Sequence, residues 1–174
     1  FALKRKVARL LEEGEVPTSI LAATFTRTAA RDFRTDLQAL GVAGCELVPT
    51  STIHSLCFSI LGKYEVFRVM ARQTRTLLDH EEDYLLADLS GRLQKGIRVL
   101  REQLHAFTSA WARLLNEQPG WPNTQDDRTF DQEMTSWLRF HKSMMIGELV
   151  PLPIQYLRNN PACTERSEYK HILV

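Results

Sequence analysis

Two short runs of hydroxyl, aromatic and basic side chains are the places where this chain could bind a ligand. The first run is Thr24-Phe25-Thr26-Arg27, and the second is Thr52-Ile53-His54-Ser55. Hydroxyl and guanidinium groups at a helix start can hold phosphate oxygens, and an exposed aromatic ring can stack on a base. Each run also has a structural interpretation, in which threonines cap helices, Phe25 lies in the core and His54 makes an ordinary hydrogen bond.

The sequence offers no pattern typical of nucleophilic catalysis or of a metal centre. No Ser/His/Asp or Cys/His arrangement accompanies His54. The cysteines have no CxxC spacing and suit a reducing compartment, and we expect Cys57 in the core. The other histidines also lack metal-ligand spacing: His80, His105, His141 and His171. The two runs therefore indicate binding rather than covalent chemistry.

Each run follows a short stretch that is predicted to be a buried strand of a parallel sheet. The first strand is predicted at Ile20–Thr24 and the second at about 46–49, and the polar runs come at or after their ends. Ligands bind at that edge of open α/β sheets. Helices are predicted around these strands, at 2–13, 28–40 and 54–61.

The middle of the chain has a different pattern, which predicts helices alone. The predicted helices are 79–89, 97–116, 126–145 and 148–158, the last broken near its start by Pro151 and Pro153. The helix at 97–116 would bury Val99, Leu100, Leu104, Phe107, Trp111, Leu114 and Leu115. Trp111 in this helix, like Trp121 and Trp137, is expected to pack against other protein side chains rather than to stack on bases. A strand is predicted again at 169–174, so the fold class is α/β and helix-rich.

Composition limits the classes of function further. The 174 residues carry 22 Lys+Arg against 21 Asp+Glu, a net charge of +1, which excludes a global electrostatic attraction to nucleic acid but not a local one. No apolar stretch approaches the ~18 residues of a membrane span, and we expect no membrane partner. Arg92, Lys95, Arg98 and Arg101 form a local basic run; such runs are usually solvated, but Arg98 and Arg101 could contact phosphates.

The two polar runs together resemble motifs of the UvrD/Rep/PcrA family of superfamily-one DNA helicases. Thr24-Phe25-Thr26 followed by Ala29-Ala30 is similar to motif Ia, usually TFTNxAA, and Thr52-Ile53-His54-Ser55-Leu56 is similar to motif Ib, usually TFHSL. Arg27 replaces the usual Asn, and Ile53 replaces the usual Phe. The run 169–174 resembles the strand that leads into the family's Walker B motif.

The resemblance implies a fold, an activity and a set of site residues. It implies a partial RecA-like motor domain at 1–62, an inserted helical subdomain at 63–163 and a return to the motor domain at 164–174. The parent would be a cytoplasmic, nucleoid-associated bacterial helicase that uses ATP and Mg²⁺, translocates 3′ to 5′ along single strands and separates forked DNA. The DNA-binding residues implied are Thr24, Phe25, Thr26, Arg27, Thr52, His54 and Ser55, and no catalytic residue is implied in this segment.

The phosphate-binding and metal-binding motifs of such a motor are missing from this sequence. There is no G-x-x-x-x-G-K-[ST], and no Asp-Glu pair follows a strand. The chain also begins inside a helical pattern and closes on the apolar run 171–174, so we expect a longer parent. This segment alone is predicted neither to bind ATP well nor to hydrolyse it, and no cofactor is expected on it.

Two other functions are compatible with the sequence. One is a helical protein-interaction module with an α/β remnant that has lost motor function, and the other is the motor part of a helicase–nuclease. Salt-dependent binding to single strands would favour a motor, and binding to protein alone would favour the module. The sequence identifies no protein partner.

Overall fold

The computed structural model describes residues 2–174, and Phe1 lies outside the described residues. The chain divides into two compact units: one runs up to Ser59 and resumes at Leu157, and the other spans Ile60–Tyr156. The helices are α1 (Ala2–Glu12), α2 (Arg27–Gln38), α3 (Ile53–Leu61), α4 (Tyr64–Met70), α5 (Asp79–Leu93), α6 (Ile97–Ala112), α7 (Gln125–Phe140) and α8 (Pro151–Asn159). The strands are β1 (Ile20–Thr24), β2 (Thr50–Thr52) and β3 (His171–Leu173).

The first unit is built on a three-stranded sheet in the order β2-β1-β3, with both pairings parallel. All but the last residue of β1 is buried, which is typical of the central strand of a parallel sheet. The core of this unit consists of Val7, Leu10, Ile20, Leu37, Cys45 and Val48. The α/β fold class predicted from the sequence is confirmed.

The second strand differs from its prediction at 46–49. Cys45–Leu47 forms a 3-10 turn, Leu47 is 58% exposed, and the strand starts only at Thr50. Pro49 has no backbone N–H with which to donate to a ladder, although its carbonyl still accepts from Ala22 N at 2.9 Å. The buried residues of this strand are the polar Thr50 and Thr52, so an apolar pattern could not locate it.

The second unit packs its helices around an apolar core of its own. Trp111 and Trp137 are buried in that core, and Trp121 packs against it with its ring centroid 4.9 Å from that of Phe107. The indole Nε1 of Trp137 donates to Asp88 at 2.7 Å. The packing role predicted for the three tryptophans is therefore confirmed.

Two long helices of this unit end earlier than predicted. α6 ends at Ala112, and Leu114 then adopts a left-handed φ of 54°. α7 ends at Phe140, where Lys142 has a φ of 50° and Ser143 N donates to Leu138 O at 2.9 Å, a helix-terminating bond. Val99 and Leu114, both predicted to be buried, are exposed.

The sequence prediction also missed one helix, and it extended α7 over residues that form a buried loop. Tyr64–Met70 is helical although no helix was predicted there. Met144 is buried without being helical, because its N–H donates to Arg75 O at 2.9 Å and its carbonyl accepts from Leu77 N at 3.0 Å. The break predicted near Pro151 is confirmed: a 3-10 turn covers Ile146–Glu148, and α8 begins at Pro151, where a proline costs no helical hydrogen bond.

Candidate nucleic-acid interface

The two polar runs meet at one edge of the sheet. β1 and β2 are parallel neighbours, and Thr24 is the register partner of Thr52. Both strands therefore end at the same level. α3 begins at the residue after Thr52, and α2 begins at Arg27 after a two-residue turn from β1. The sequence prediction that both runs lie at strand ends of one sheet is confirmed, although β2 itself was misplaced.

Hydroxyl groups fix the geometry of both strand-to-helix turns. Thr26 Oγ1 accepts from Ala29 N at 3.1 Å and so caps α2, while Thr24 Oγ1 donates to Thr26 O at 3.0 Å. Thr52 Oγ1 accepts from Ser55 N at 3.1 Å and lies 2.9 Å from Ser55 Oγ. The capping interpretation is therefore right for Thr26 and Thr52, each of which satisfies a backbone N–H in the first turn of its helix.

Phe25, in the first of these turns, lies outside the core. Its side chain is 79% exposed, so the interpretation of Phe25 as a core residue is wrong. The phenyl side chain is therefore accessible to a ligand, while the flanking hydroxyls of Thr24 and Thr26 are engaged within the turn. Such a ring can stack on a nucleobase of any identity.

A cleft of about 340 Å³ opens beside these turns, between the first half of α2 and the end of β2. Three arginines of α2 line it: Arg27, Arg31 and Arg34, which lie on one helical face at spacings of four and three. Hydroxyl groups form the facing wall, and no carboxylate belongs to the lining residues. Guanidinium and hydroxyl donors without a competing carboxylate form a surface suited to phosphate.

The three arginines of the cleft differ in the hydrogen bonds and ion pairs that they make. Arg34 Nη2 donates to the carbonyl of Thr50 at 2.9 Å, which anchors α2 to β2. Arg31 lies 3.6 Å from Asp32, an exposed pair of little energetic weight. Arg27, at the start of α2, is exposed at the mouth. Sequence reasoning found Arg27 but missed Arg31 and Arg34, which the helical spacing along α2 could have revealed.

The remaining predicted residues divide between the two units. His54 is exposed on the first turn of α3, and Ser55 lines the cleft. Arg98 and Arg101 belong to α6 of the helical unit and are engaged in ion pairs, Arg98 with Glu102 at 3.3 Å and Arg101 with Asp83 at 2.8 Å. These pairs are solvent-exposed and weak, so a phosphate could displace them.

The family-model comparison matches the UvrD/REP helicase N-terminal domain over residues 1–174. The chain belongs to this family. The resemblance carried by Thr24-Phe25-Thr26 and by Thr52–Ser55 therefore extends to the whole chain.

Curated relatives within this family include two staphylococcal proteins. The chain is 36% identical over 78 residues to the ATP-dependent DNA helicase PcrA of Staphylococcus aureus strain Mu50, an alignment that covers 44% of this chain and 10% of that protein. It is 33% identical over 117 residues to the PcrA of Staphylococcus epidermidis strain ATCC 35984, which covers 66% of this chain and 16% of that protein. The chain thus matches a small part of each relative's length.

The described residues contain neither a metal-binding cluster nor a helix that could span a membrane. Within residues 2–174, no cluster of three or more His, Cys, Asp or Glu side chains could hold a metal ion. None of the helices in this range has both the length and the apolar character needed to cross a bilayer. In this UvrD/REP family member, the β1/β2 edge of the sheet combines an exposed aromatic side chain with a cleft lined by guanidinium and hydroxyl groups.

Proposed function

We propose that this chain is a segment of an ATP-dependent DNA helicase and that its β1/β2 edge holds single-stranded DNA. The observation that supports this most strongly is the pairing of an exposed Phe25 ring with a cleft lined by guanidinium and hydroxyl groups. Stacking and phosphate contacts do not read base edges, so binding is expected to be sequence-tolerant and sensitive to salt.

Each predicted site residue has a role in this proposal. Phe25 stacks on a base, and Arg27 contacts a phosphate with the help of Arg31. Thr26 and Thr52 position these groups through their caps, while Thr24 stabilises the first turn. His54 and Ser55 contact the strand from the start of α3.

The activity proposed for the parent protein goes beyond strand binding by these residues. Family membership and the name of the PcrA relatives support ATP as the fuel and DNA as the substrate. We propose Mg²⁺-dependent ATP hydrolysis, 3′-to-5′ translocation, separation of forked DNA and a cytoplasmic, nucleoid-associated location for the parent. The compactness of Ile60–Tyr156 supports an inserted helical subdomain, in which Arg98 and Arg101 are secondary phosphate contacts.

The proposal is tested by strand binding in the parent protein that contains this segment. Phe25→Ala should weaken binding of a fluorescein-labelled deoxythymidine oligonucleotide by about tenfold, because stacking on an aromatic ring contributes roughly 1–3 kcal/mol per base. Arg27→Ala should also lower the slope of log K against log salt by about 0.7, the value for one contact with a single strand. Fluorescence anisotropy at several salt concentrations measures both quantities.

Two control variants test whether these losses are specific. Leu47→Ala removes another exposed apolar side chain of the same unit, and Arg9→Ala removes an exposed arginine of α1. Both should bind as the unmodified parent does. Unchanged affinity in the Phe25 and Arg27 variants, or equal losses in the controls, would remove the β1/β2 edge as the binding site.

A further inference from the structure

The helical unit contains a polar cavity that the proposed DNA site does not use. Its volume is about 420 Å³, within the range of small-ligand pockets. One face of α7 contributes Asp131, Thr135 and Arg139, which follow one another at intervals of four residues. The opposite walls include Trp111 and Trp121. Polar groups and aromatic side chains therefore line the same cavity.

Two of the charged side chains that line this cavity form an ion pair with each other. Arg72 and Glu148 are both buried, and Arg72 Nη1 donates to the two carboxylate oxygens at 2.7 and 2.6 Å. Glu148 Oε2 also accepts from Met145 N at 2.8 Å, and Arg72 Nη2 lies 3.5 Å from Thr135 Oγ1. Both carboxylate oxygens of Glu148 are therefore engaged within the helical unit.

Two acceptors on the cavity wall have no donor. The Asp131 carboxylate belongs to a half-buried residue and has no hydrogen bond within the described part of the chain. Asn116 Oδ1 is buried and likewise has no hydrogen-bond partner there, while its amide group donates to Glu117 at 3.3 Å. A buried acceptor without a donor costs free energy, so both groups would gain from a ligand that donates hydrogen bonds.

The charge of the wall indicates the sign of such a ligand. The carboxylates of Glu117, Asp131 and Glu148 line the cavity together with the guanidinium groups of Arg72 and Arg139. Arg72 neutralises Glu148, whereas the Asp131 carboxylate forms no ion pair within the described residues. Burial raises the pKa of Asp131 to about 6, and repulsion by Glu148 adds to the effect while Arg72 opposes it.

We propose that this cavity binds a small organic cation through a primary ammonium or guanidinium group. The cationic group donates to Asp131 and to Asn116 Oδ1, and the faces of Trp111 and Trp121 contribute cation–π attraction. Arg139 is exposed and lies about 12 Å from Asp131 along α7, so it excludes a second positive charge from the outer part of the cavity. The expected ligand thus has one cationic end.

Titration with defined probes tests the proposal in the 174-residue chain. The probes are butylammonium and arginine amide, with butanol as an uncharged control of similar size. Indole N–H resonances in two-dimensional NMR report the site, because Trp111 and Trp121 line the cavity whereas Trp137 does not. We expect saturable shifts of two indole signals with the cations, no shift of the third, and no shifts with butanol.

Charge and pH provide the decisive comparison. Asp131→Asn should weaken the affinity for butylammonium at least tenfold, whereas Glu133→Gln, on the same helix outside the cavity, should leave it unchanged. In the unmodified chain, affinity should fall about tenfold from pH 7.5 to pH 5 as Asp131 is protonated, and this fall should vanish in Asp131→Asn. Arg72, Arg139, Glu117 and Glu148 face the same cavity and remain in both proteins, so the comparison isolates Asp131.

Two sources of the cation are separated by one more probe. If acetyl-Gly-Arg-Gly-amide binds as tightly as the small cations, the site accepts an arginine side chain of a partner; if it does not bind, the site takes a free small molecule. Either outcome supports a cation site. Absence of saturable shifts at millimolar butylammonium and arginine amide, or equal affinity in Asp131→Asn, would overturn it without affecting the proposed DNA site.

Discussion

Asp131 lowers the stability of the folded chain at neutral pH. Its pKa is raised to about 6 in the native state, well above that of an unfolded aspartate, mainly because burial penalises the charged form. The native state therefore binds more protons than the unfolded state between about pH 4 and 6. Through this group, stability is highest below that window and falls as the pH rises across it.

Asp131→Asn should consequently stabilise the chain at pH 7.5 by about 1–2 kcal/mol, a figure reduced for partial solvent screening. The difference between the two proteins should be nearly lost at pH 4, where Asp131 is protonated in the native state and about half protonated in the unfolded state. Urea denaturation followed by circular dichroism at pH 7.5 and pH 4 measures both values. Equal stabilities at pH 7.5 would mean that the carboxylate is better solvated than its surroundings indicate.

The exposure of Phe25 is a property that its sequence context did not determine. Its type and its position after β1 could be seen in the sequence, but a phenylalanine in that turn is equally compatible with a core position. Exposure depends on the direction in which the turn leaves the strand, and the hydrogen bonds of Thr24 and Thr26 fix that direction. A single sequence does not show which of these bonds form.

The bounds of three elements, β1, β2 and α7, show where the periodicity of apolar residues predicts secondary structure correctly and where it does not. β1 was predicted at its observed bounds, because its buried residues are aliphatic or alanine. β2 was not, because its buried residues are threonines. α7 was predicted too long because Met144 and Met145 continue the apolar pattern, whereas backbone hydrogen bonds between residues 73–77 and 142–144 hold Met144 in an extended loop.

The pair of Arg72 and Glu148 is expected to be the main polar link between elements of the helical unit. Arg72 follows α4, Glu148 precedes α8, and both side chains are about 6% exposed. Arg72→Met should destabilise the chain by roughly 3–5 kcal/mol, because it leaves an uncompensated buried carboxylate. Arg68→Met, which breaks an exposed pair with Glu65 at 3.0 Å, should cost less than about 1 kcal/mol.

Chemical denaturation of both variants measures this contrast, and the double variant Arg72→Met/Glu148→Leu refines it. The double variant should recover much of the lost stability, because neither charge then remains buried. If Arg72→Met costs no more than Arg68→Met, the buried pair does not link these elements.

In the whole molecule, strand binding is proposed for this segment, whereas ATP hydrolysis requires residues that this sequence does not contain. The sequence contains no glycine-rich loop ending in Lys-Ser or Lys-Thr, and phosphoryl transfer needs that loop together with a metal ligand. The 174-residue chain alone should therefore show no ATP turnover above background in a phosphate-release assay. Robust turnover that survives further purification would reveal an active site that the sequence analysis missed.

A photocrosslink between the parent protein and single-stranded DNA would identify directly the residues on which the bases stack. An oligonucleotide with 5-iododeoxyuridine crosslinks to a stacked aromatic ring, and trypsin releases Phe25 in the peptide Leu10–Arg27. We predict that mass spectrometry finds the crosslink on Phe25 and that Phe25→Ala abolishes it. Crosslinks confined to residues 60–156 would contradict the account and would favour a binding surface on the helical unit instead.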